Sequence, residues 1–215
     1  VTDIQPVSGS GRLPLRGQAS TLTSLARQAL TEDFGLRPLP AEAESVLDDL
    51  PASPRLIAHL RAVHDVACQL ADWVAQHHPS VPFDRTAVLF GAATHDIGKV
   101  LHPEELSGPG SAHEPAGHEL LRSRGVPEHL ARFARTHASW NSSGIVLEDL
   151  LVSLADKVWK AKRVPDLEQL VTGLLATGAG EEPWEVFMAL DDELDRIASG
   201  ADARLAVQSS YPIMA

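Results

Sequence analysis

From Thr21 onwards, apolar positions recur at spacings of three and four residues, and no stretch shows sustained apolar–polar alternation. Helical text opens with TSLARQAL and PAEAESVLDDL, separated by GLRPLP, whose glycine and prolines interrupt it. The proline of PASPRL stands at the start of a long helix predicted from Arg55 to about His77, closed by Pro79 and Pro82. Asp84 is placed to cap RTAVLFGAATHD, and HPEELSGPGS reads as a loop because Gly-Pro-Gly forbids regular structure. SAHE, at 111–114, has capping-box spacing for a helix through about Arg124. Gly125 ends that helix, and Pro127 opens another that runs to about His137. After the polar loop SWNSSG, a helix is predicted from Val146 to about Arg163, with Pro165 marking its end. Segments around 166–176, 183–198 and 201–208 complete about nine helices.

The fold class is therefore all-α. Residues 1–18, without period and rich in Gly, Ser and Pro, read as a mobile tail. The organisation expected is a tail plus N-terminal helical extension over 1–50, a core bundle over 51–165, and C-terminal helices over 166–215 that pack on the core. Trp73 and Trp184 are expected as core anchors. The segments around Leu174 and from Trp184 to Leu194 are apolar enough to pack in cis or to form a homodimer face.

Helical phase sorts the histidines. On the long helix His59 lies within about 40° of Val63, Val66 and Leu70, the middle of an apolar stripe, while His64 falls about 140° away at its edge. The pair His113 and His118 repeats this relation, with Gly117 and Leu120 beside His113. His137 stands above Phe133 and Leu130 at helical spacings, and His95–Asp96 follow directly on the apolar run Ala87–Ala93. Asp156 lies near, not at, the centre of its own stripe. One inward histidine is readily a hydrogen-bonded core residue. Several imidazoles and carboxylates buried together are costly without a compensating charge. A bound cation offsets that cost. Mixed nitrogen and oxygen donors suit Fe, Mn, Co, Ni or Zn better than Ca or Mg.

Charge narrows the partners. Eighteen Lys and Arg against 29 Asp and Glu give a net charge of −11, which opposes binding to a nucleic-acid duplex. The single cysteine, Cys68, excludes an intrachain disulfide and, with no signal-like apolar start, favours a cytoplasmic setting. Uncharged runs such as Val171–Gly180 are too short to span a membrane, so no membrane partner is expected.

HDIGK at 95–99, preceded by HLRAVHDVACQLA and followed far downstream by LADKVWK, resembles the HD superfamily of metal-dependent phosphohydrolases, in its HDIG form. HEPAGHELL and FARTHASW are similar to the helices that supply two further histidines in members with two metals. The resemblance covers about residues 51–163 and implies an all-helical HD-domain bundle. It implies His59, His95, Asp96 and Asp156 as ligands, with His113 and His137 completing a second ion and Asp96 bridging both. His64 stands where the family has a small residue, which leaves the choice between His59 and His64 partly open, but phase and motif both select His59; His118 is a further candidate. Relatives that cleave cyclic dinucleotides carry Gly-Tyr-Pro after the central motif; the one tyrosine here is Tyr211.

The chemistry implied is hydrolysis of a small phosphate ester or nucleotide by a hydroxide activated between two divalent ions. Asp96 and Lys99 would be catalytic, Lys99 by neutralising a phosphate oxygen. Lys99, Trp140 and Lys160 are the candidate substrate contacts. For most of the cationic run Lys157, Lys160, Lys162 and Arg163, a helix C-terminus facing solvent is the simpler account. Two alternatives use the same residues: an HD-fold di-iron oxygenase, and a regulatory module that binds metal or ligand without turnover.

Overall fold

The computed structural model describes residues 16–213, and over that span it contains helices and turns with no strand. The tail expected over 1–18 lies outside the described residues except for 16–18, which already open α1 (Arg16–Thr31). A second extension helix, α2 (Ala41–Asp48), follows.

Ser53 and Pro54 start the central rod. The Ser53 hydroxyl oxygen accepts from the Leu56 N–H at 3.2 Å and Pro54 fills the first turn of α3 (Pro54–His77). Helical phase predicts one apolar stripe here, but the helix is buried on nearly every side, including Arg61, His64 and Asp65. The reason is that neighbours pack on several faces at once: α1, α4 (Arg85–Thr94), α8 (Leu147–Val158) and α11 (Ala201–Ser209) all contact it. Arg61 is accommodated by donating to the Ala29 and Glu32 carbonyls, which ties α1 to the rod.

Two apolar clusters share α3. One joins Val63, Val66 and Leu70 to Val88, Leu151, Leu154 and Val158, and continues into α9 (Pro165–Ala179) and α10 (Pro183–Ala198). The other joins Leu56, Ile57 and Leu60 to Leu30, Leu47, Phe90, Ile97 and Leu121, the last on α5 (His113–Ser123). Each fully buried leucine contributes about 1.5–3 kcal/mol, and this closely packed frame holds the polar site between the clusters.

α4 is capped as predicted, with Asp84 Oδ1 accepting from the Ala87 N–H at 2.9 Å. It ends at Thr94, and the chain tightens into a 3-10 turn at Ile97–Val100. The loop expected at 102–112 contains another such turn, Pro103–Leu106. The SAHE capping box does not form, because Ala112 occupies the cap position and the α5 N-terminus is capped by Glu105 instead. The helix predicted from Pro127 to His137 is realised as α6 (Glu128–Ala131) and α7 (Phe133–Thr136), joined through Arg132, whose backbone stays helical. α8 stops at Val158, short of Arg163. There Ala161 turns left-handed (φ 58°) and the Lys162 N–H returns to the Lys157 carbonyl at 3.2 Å, closing the helix end.

Glycines set one crossing. A Cβ on Gly98 would lie 1.9 Å from the His113 carbonyl oxygen and 2.6 Å from the Gly117 nitrogen, so the 3-10 turn and α5 touch backbone to backbone. Trp73 is a core anchor as expected, but Trp184 is 65% exposed, beside Phe187 and Met188 on the outer side of α10.

Candidate metal centre

His59 reaches the interior from α3, His95 and Asp96 from the end of α4, His113 from the first residue of α5, His137 from just after α7, and Asp156 from α8. All six are buried. Asp96 stands between two sets of imidazoles. Its Oδ2 lies 3.1 Å from His59 Nε2 and 3.5 Å from His95 Nε2. Its Oδ1 lies 3.0 Å from His113 Nε2 and 3.5 Å from His137 Nε2. Asp156 Oδ1 completes the first set, 3.5 Å from His95 Nε2 and 3.8 Å from His59 Nε2. His59 and His95 themselves approach to 3.3 Å, Nε2 to Nε2. Two groups, His59–His95–Asp96 and Asp96–His113–His137, thus bring donor atoms close enough to share an ion, with Asp96 common to both.

The tautomers explain why a cation fits. His95 Nδ1 faces the Ala92 carbonyl at 2.9 Å, and His137 Nδ1 faces the Phe133 and Ala134 carbonyls at 3.2 Å. His113 Nδ1 faces Glu105 Oε2 at 2.5 Å. Carbonyls and carboxylates only accept, so each Nδ1 carries a proton and each ring turns its Nε2 inward. Those nitrogens meet carboxylate oxygens. His113 Nε2 is a buried atom with no aligned hydrogen bond despite its 3.0 Å approach to Asp96. Burial lowers the His113 imidazole, but Asp96 and Glu105 outweigh it and raise it, so a positive charge is favoured at this point, and a divalent ion would supply that charge in place of a proton.

Burial, with the neighbouring His95 adding, pushes the His137 imidazole down to about 4, so it is neutral near pH 7. Burial also lowers His59, with Asp96 opposing. At Asp96 burial pushes the carboxyl up, but the surrounding His95, His113 and His59 hold it well below the usual range. Asp156 behaves alike: His95 and Lys157 outweigh burial and keep it ionised. Both carboxylates are therefore ready to bind a cation.

Comparison with known proteins agrees with this geometry. Residues 56–159 match the family model of the HD domain, a segment that contains all six convergent residues. The core of this chain belongs to the HD-domain family.

HD domains bind divalent metals, and the clustered His and Asp side chains here suit that. The chain is also similar to a tRNA (cytidine(56)-2'-O)-methyltransferase of Picrophilus torridus, 25% identical over 144 residues. The match takes in 59% of this chain and 38% of that protein, so the chain spans well under half the length of this curated relative. No solved structure matches.

Not every residue expected at the HD site is there. His64, as buried as His59, lies on another side of α3, where its Nε2 sits 3.5 Å from Cys68 Sγ. His118 turns outward to Glu128 Oε2 at 2.8 Å. The 140° that separates each from its partner on the same helix carries it away from Asp96. Trp140 packs against the larger apolar cluster. Lys160 is exposed and rests over the Trp159 ring at 5.7 Å, and Trp159 in turn packs edge-on against His59 at 4.9 Å.

Lys99 is at the site, its Nζ 2.6 Å from Asp96 Oδ2, and Lys157 makes the matching contact with Asp156 Oδ2 at 2.6 Å. Glu105 escaped the sequence reading. Its signal, a carboxylate eight residues before a candidate ligand, has no helical or strand period. A separate cleft of about 490 Å³ runs beside α3 and is lined by Arg37, Asp72, Trp73 and Arg196, among others. No residue of the histidine cluster lines it, and its arginines are already paired with Asp72 and Glu193. The grouped His and Asp donors that could hold an ion around Asp96 belong to the cluster, not the cleft. No described helix is long and apolar enough to cross a membrane.

Proposed function

We propose that this chain is a metal-dependent phosphohydrolase that acts on a small phosphate ester or nucleotide at a two-ion centre. The observation that carries the reading is Asp96, whose two oxygens each face a separate pair of imidazoles. His59, His95, Asp96 and Asp156 would hold one ion; Asp96, His113 and His137 the other. Fe, Mn, Co, Ni and Zn all suit these donors. Bound there, such ions supply Lewis-acid activation of water and charge stabilisation at phosphorus.

The chain's own residues do the rest. Asp96 keeps the two groups of imidazoles in register. The backbone carbonyls of Ala92, Phe133 and Ala134 hold His95 and His137 with Nε2 inward. Lys99 and Lys157 bring two ammonium groups beside the carboxylates, positioned to draw in an anionic substrate and to neutralise oxygens as charge develops. The methyl-transfer activity named for the Picrophilus torridus relative acts on tRNA, and the net charge of −11 disfavours that class of substrate here.

The test is release of inorganic phosphate from a panel of monoesters and nucleotides by protein loaded in turn with Mn, Co, Fe, Ni and Zn, with bound metal counted alongside. Two ions per chain and turnover of at least one substrate are expected. An inert protein under every metal overturns the reading. Oxygen-dependent substrate loss with iron replaces it by oxygenase chemistry.

A further inference from the structure

The histidines that converge on Asp96 are not all held in the same way. His95 and His137 each present Nδ1 to a carbonyl three or four residues earlier, Ala92 for the first and Phe133 and Ala134 for the second. The helix that carries each ring therefore also fixes its tautomer. His113 has no such carbonyl, because it is the first residue of α5 and the preceding chain is not helical. Its Nδ1 is instead met by Glu105, from the Pro103–Leu106 turn.

Glu105 is committed to this task. Its Oε2 accepts from both the His113 N–H, at 3.1 Å, and His113 Nδ1, while Oε1 accepts from the Ala112 N–H at 3.0 Å. The side chain is 7% exposed although it belongs to a surface turn. Space for it is reserved: a Cβ on Gly110 would fall 2.1 Å from Glu105 Oε1 and 2.4 Å from its carboxyl carbon. The Gly-Pro-Gly of the segment thus lets the backbone pass over a buried carboxylate.

We propose that Glu105 is the positioning residue of the second ion, holding His113 with its Nε2 toward Asp96 and strengthening that ring as a ligand. A carboxylate polarises an imidazole more than a carbonyl does, and outer partners of this kind are worth about 10–100-fold in metal affinity. The two halves of the centre then differ in kind. Each half has one ring held by helix carbonyls, His95 in the first and His137 in the second, but the other ring differs: His59 Nδ1 has no hydrogen-bond partner among the described residues, whereas His113 Nδ1 is held by one side chain from a turn. This inference rests on the two-ion reading of the site.

The test titrates metal-free protein with Co(II), following visible absorption and heat, for the wild type, Glu105→Gln, Glu105→Ala and, as reference, His113→Ala. The wild type should take up two equivalents. In Glu105→Ala the second dissociation constant should rise about 10–100-fold with the first unchanged, and the second-equivalent spectrum should move toward that of His113→Ala. Glu105→Gln, which keeps the shape and one acceptor oxygen, should fall between. A second equivalent with wild-type affinity and spectrum in both variants overturns the role of Glu105 while leaving the two-ion centre standing. Fewer than two equivalents in the wild type overturns the two-ion reading itself, and this inference with it. If the alanine variant misfolds by circular dichroism, the glutamine variant decides.

Discussion

The inner and outer sides of the same two helices carry matched histidines with different fates. On α3, His59 and His64 are five residues apart; on α5, so are His113 and His118. Burial does not separate the first pair, since His64 is 2% exposed and His59 7%. Convergence does. Around His59 lie His95 Nε2 and the carboxylates of Asp96 and Asp156, within 3.1–3.8 Å. His64 has Cys68 Sγ in hydrogen-bond range, while Asp65, beside it in the chain, engages the Arg37 N–H and Gln69. His118 meets a single surface carboxylate. A buried imidazole is therefore evidence of a ligand only when several helices bring donor atoms to one point, and Asp96 is that point here.

Removing the charge at Asp96 should produce the largest effect. Asp96→Asn keeps the shape but leaves four inward imidazoles without their common anion. Bound metal should fall from two ions per chain to at most one, and turnover by about three orders of magnitude or more. Elemental analysis and a phosphate-release assay read both quantities. Activity within tenfold of wild type with both ions retained would sink the shared-carboxylate account.

A smaller, structural effect is expected at the Gly98 crossing. In Gly98→Ala the new methyl meets two backbone groups, which cannot rotate away as a side chain would. Overpacking of this kind costs about 1–3 kcal/mol. The strain falls on His113 rather than His59, because the clash is with the His113 carbonyl itself. The urea midpoint should drop, and the ion held by His113 and His137 should be lost before the other. A variant with an unchanged midpoint and two ions would show that α5 can move aside freely.

How far the sequence could be read follows the same division. Phase set His59 apart from His64 and His113 apart from His118, in agreement with the motif, because long regular helices make 100° per residue a usable ruler. Pro54 and Asp84 act locally, and the helix starts they mark lie where expected, whereas Pro165 opens α9 and the helix expected to close there already ends at Val158. Asp156, off-centre in its stripe, was less legible, since a site between two apolar clusters draws on a flank rather than a middle. Glu105 was not legible at all. It works through a loop crossing that depends on Gly98, Gly110 and Gly117, and no periodic pattern encodes which side chain such a crossing will bury. Trp184 misled for the opposite reason: α10 has apolar residues beyond its packed stripe, and a tryptophan on the outer side carries no sign of which face it occupies.

The outer histidine of α3 offers the gentlest test of the comparison, through pH. Burial pushes His64 down to about 4 from an ordinary value of 6.5, with Arg37, Arg85 and Arg61 adding to the shift against Asp65. A depressed imidazole pKa means the unfolded chain takes the proton first. The stability that His64 contributes as a neutral ring is thus complete above pH 6.5, is lost progressively down to about pH 4, and is flat below. The span is worth about 3 kcal/mol. In metal-free protein, urea unfolding of wild type and His64→Leu should give a difference that shifts by about this amount in favour of the variant between pH 7 and pH 4. The inner groups titrate in both proteins and cancel in the difference, so two parallel stability curves would mean that His64 is reached by water and only the inner histidines are closed off.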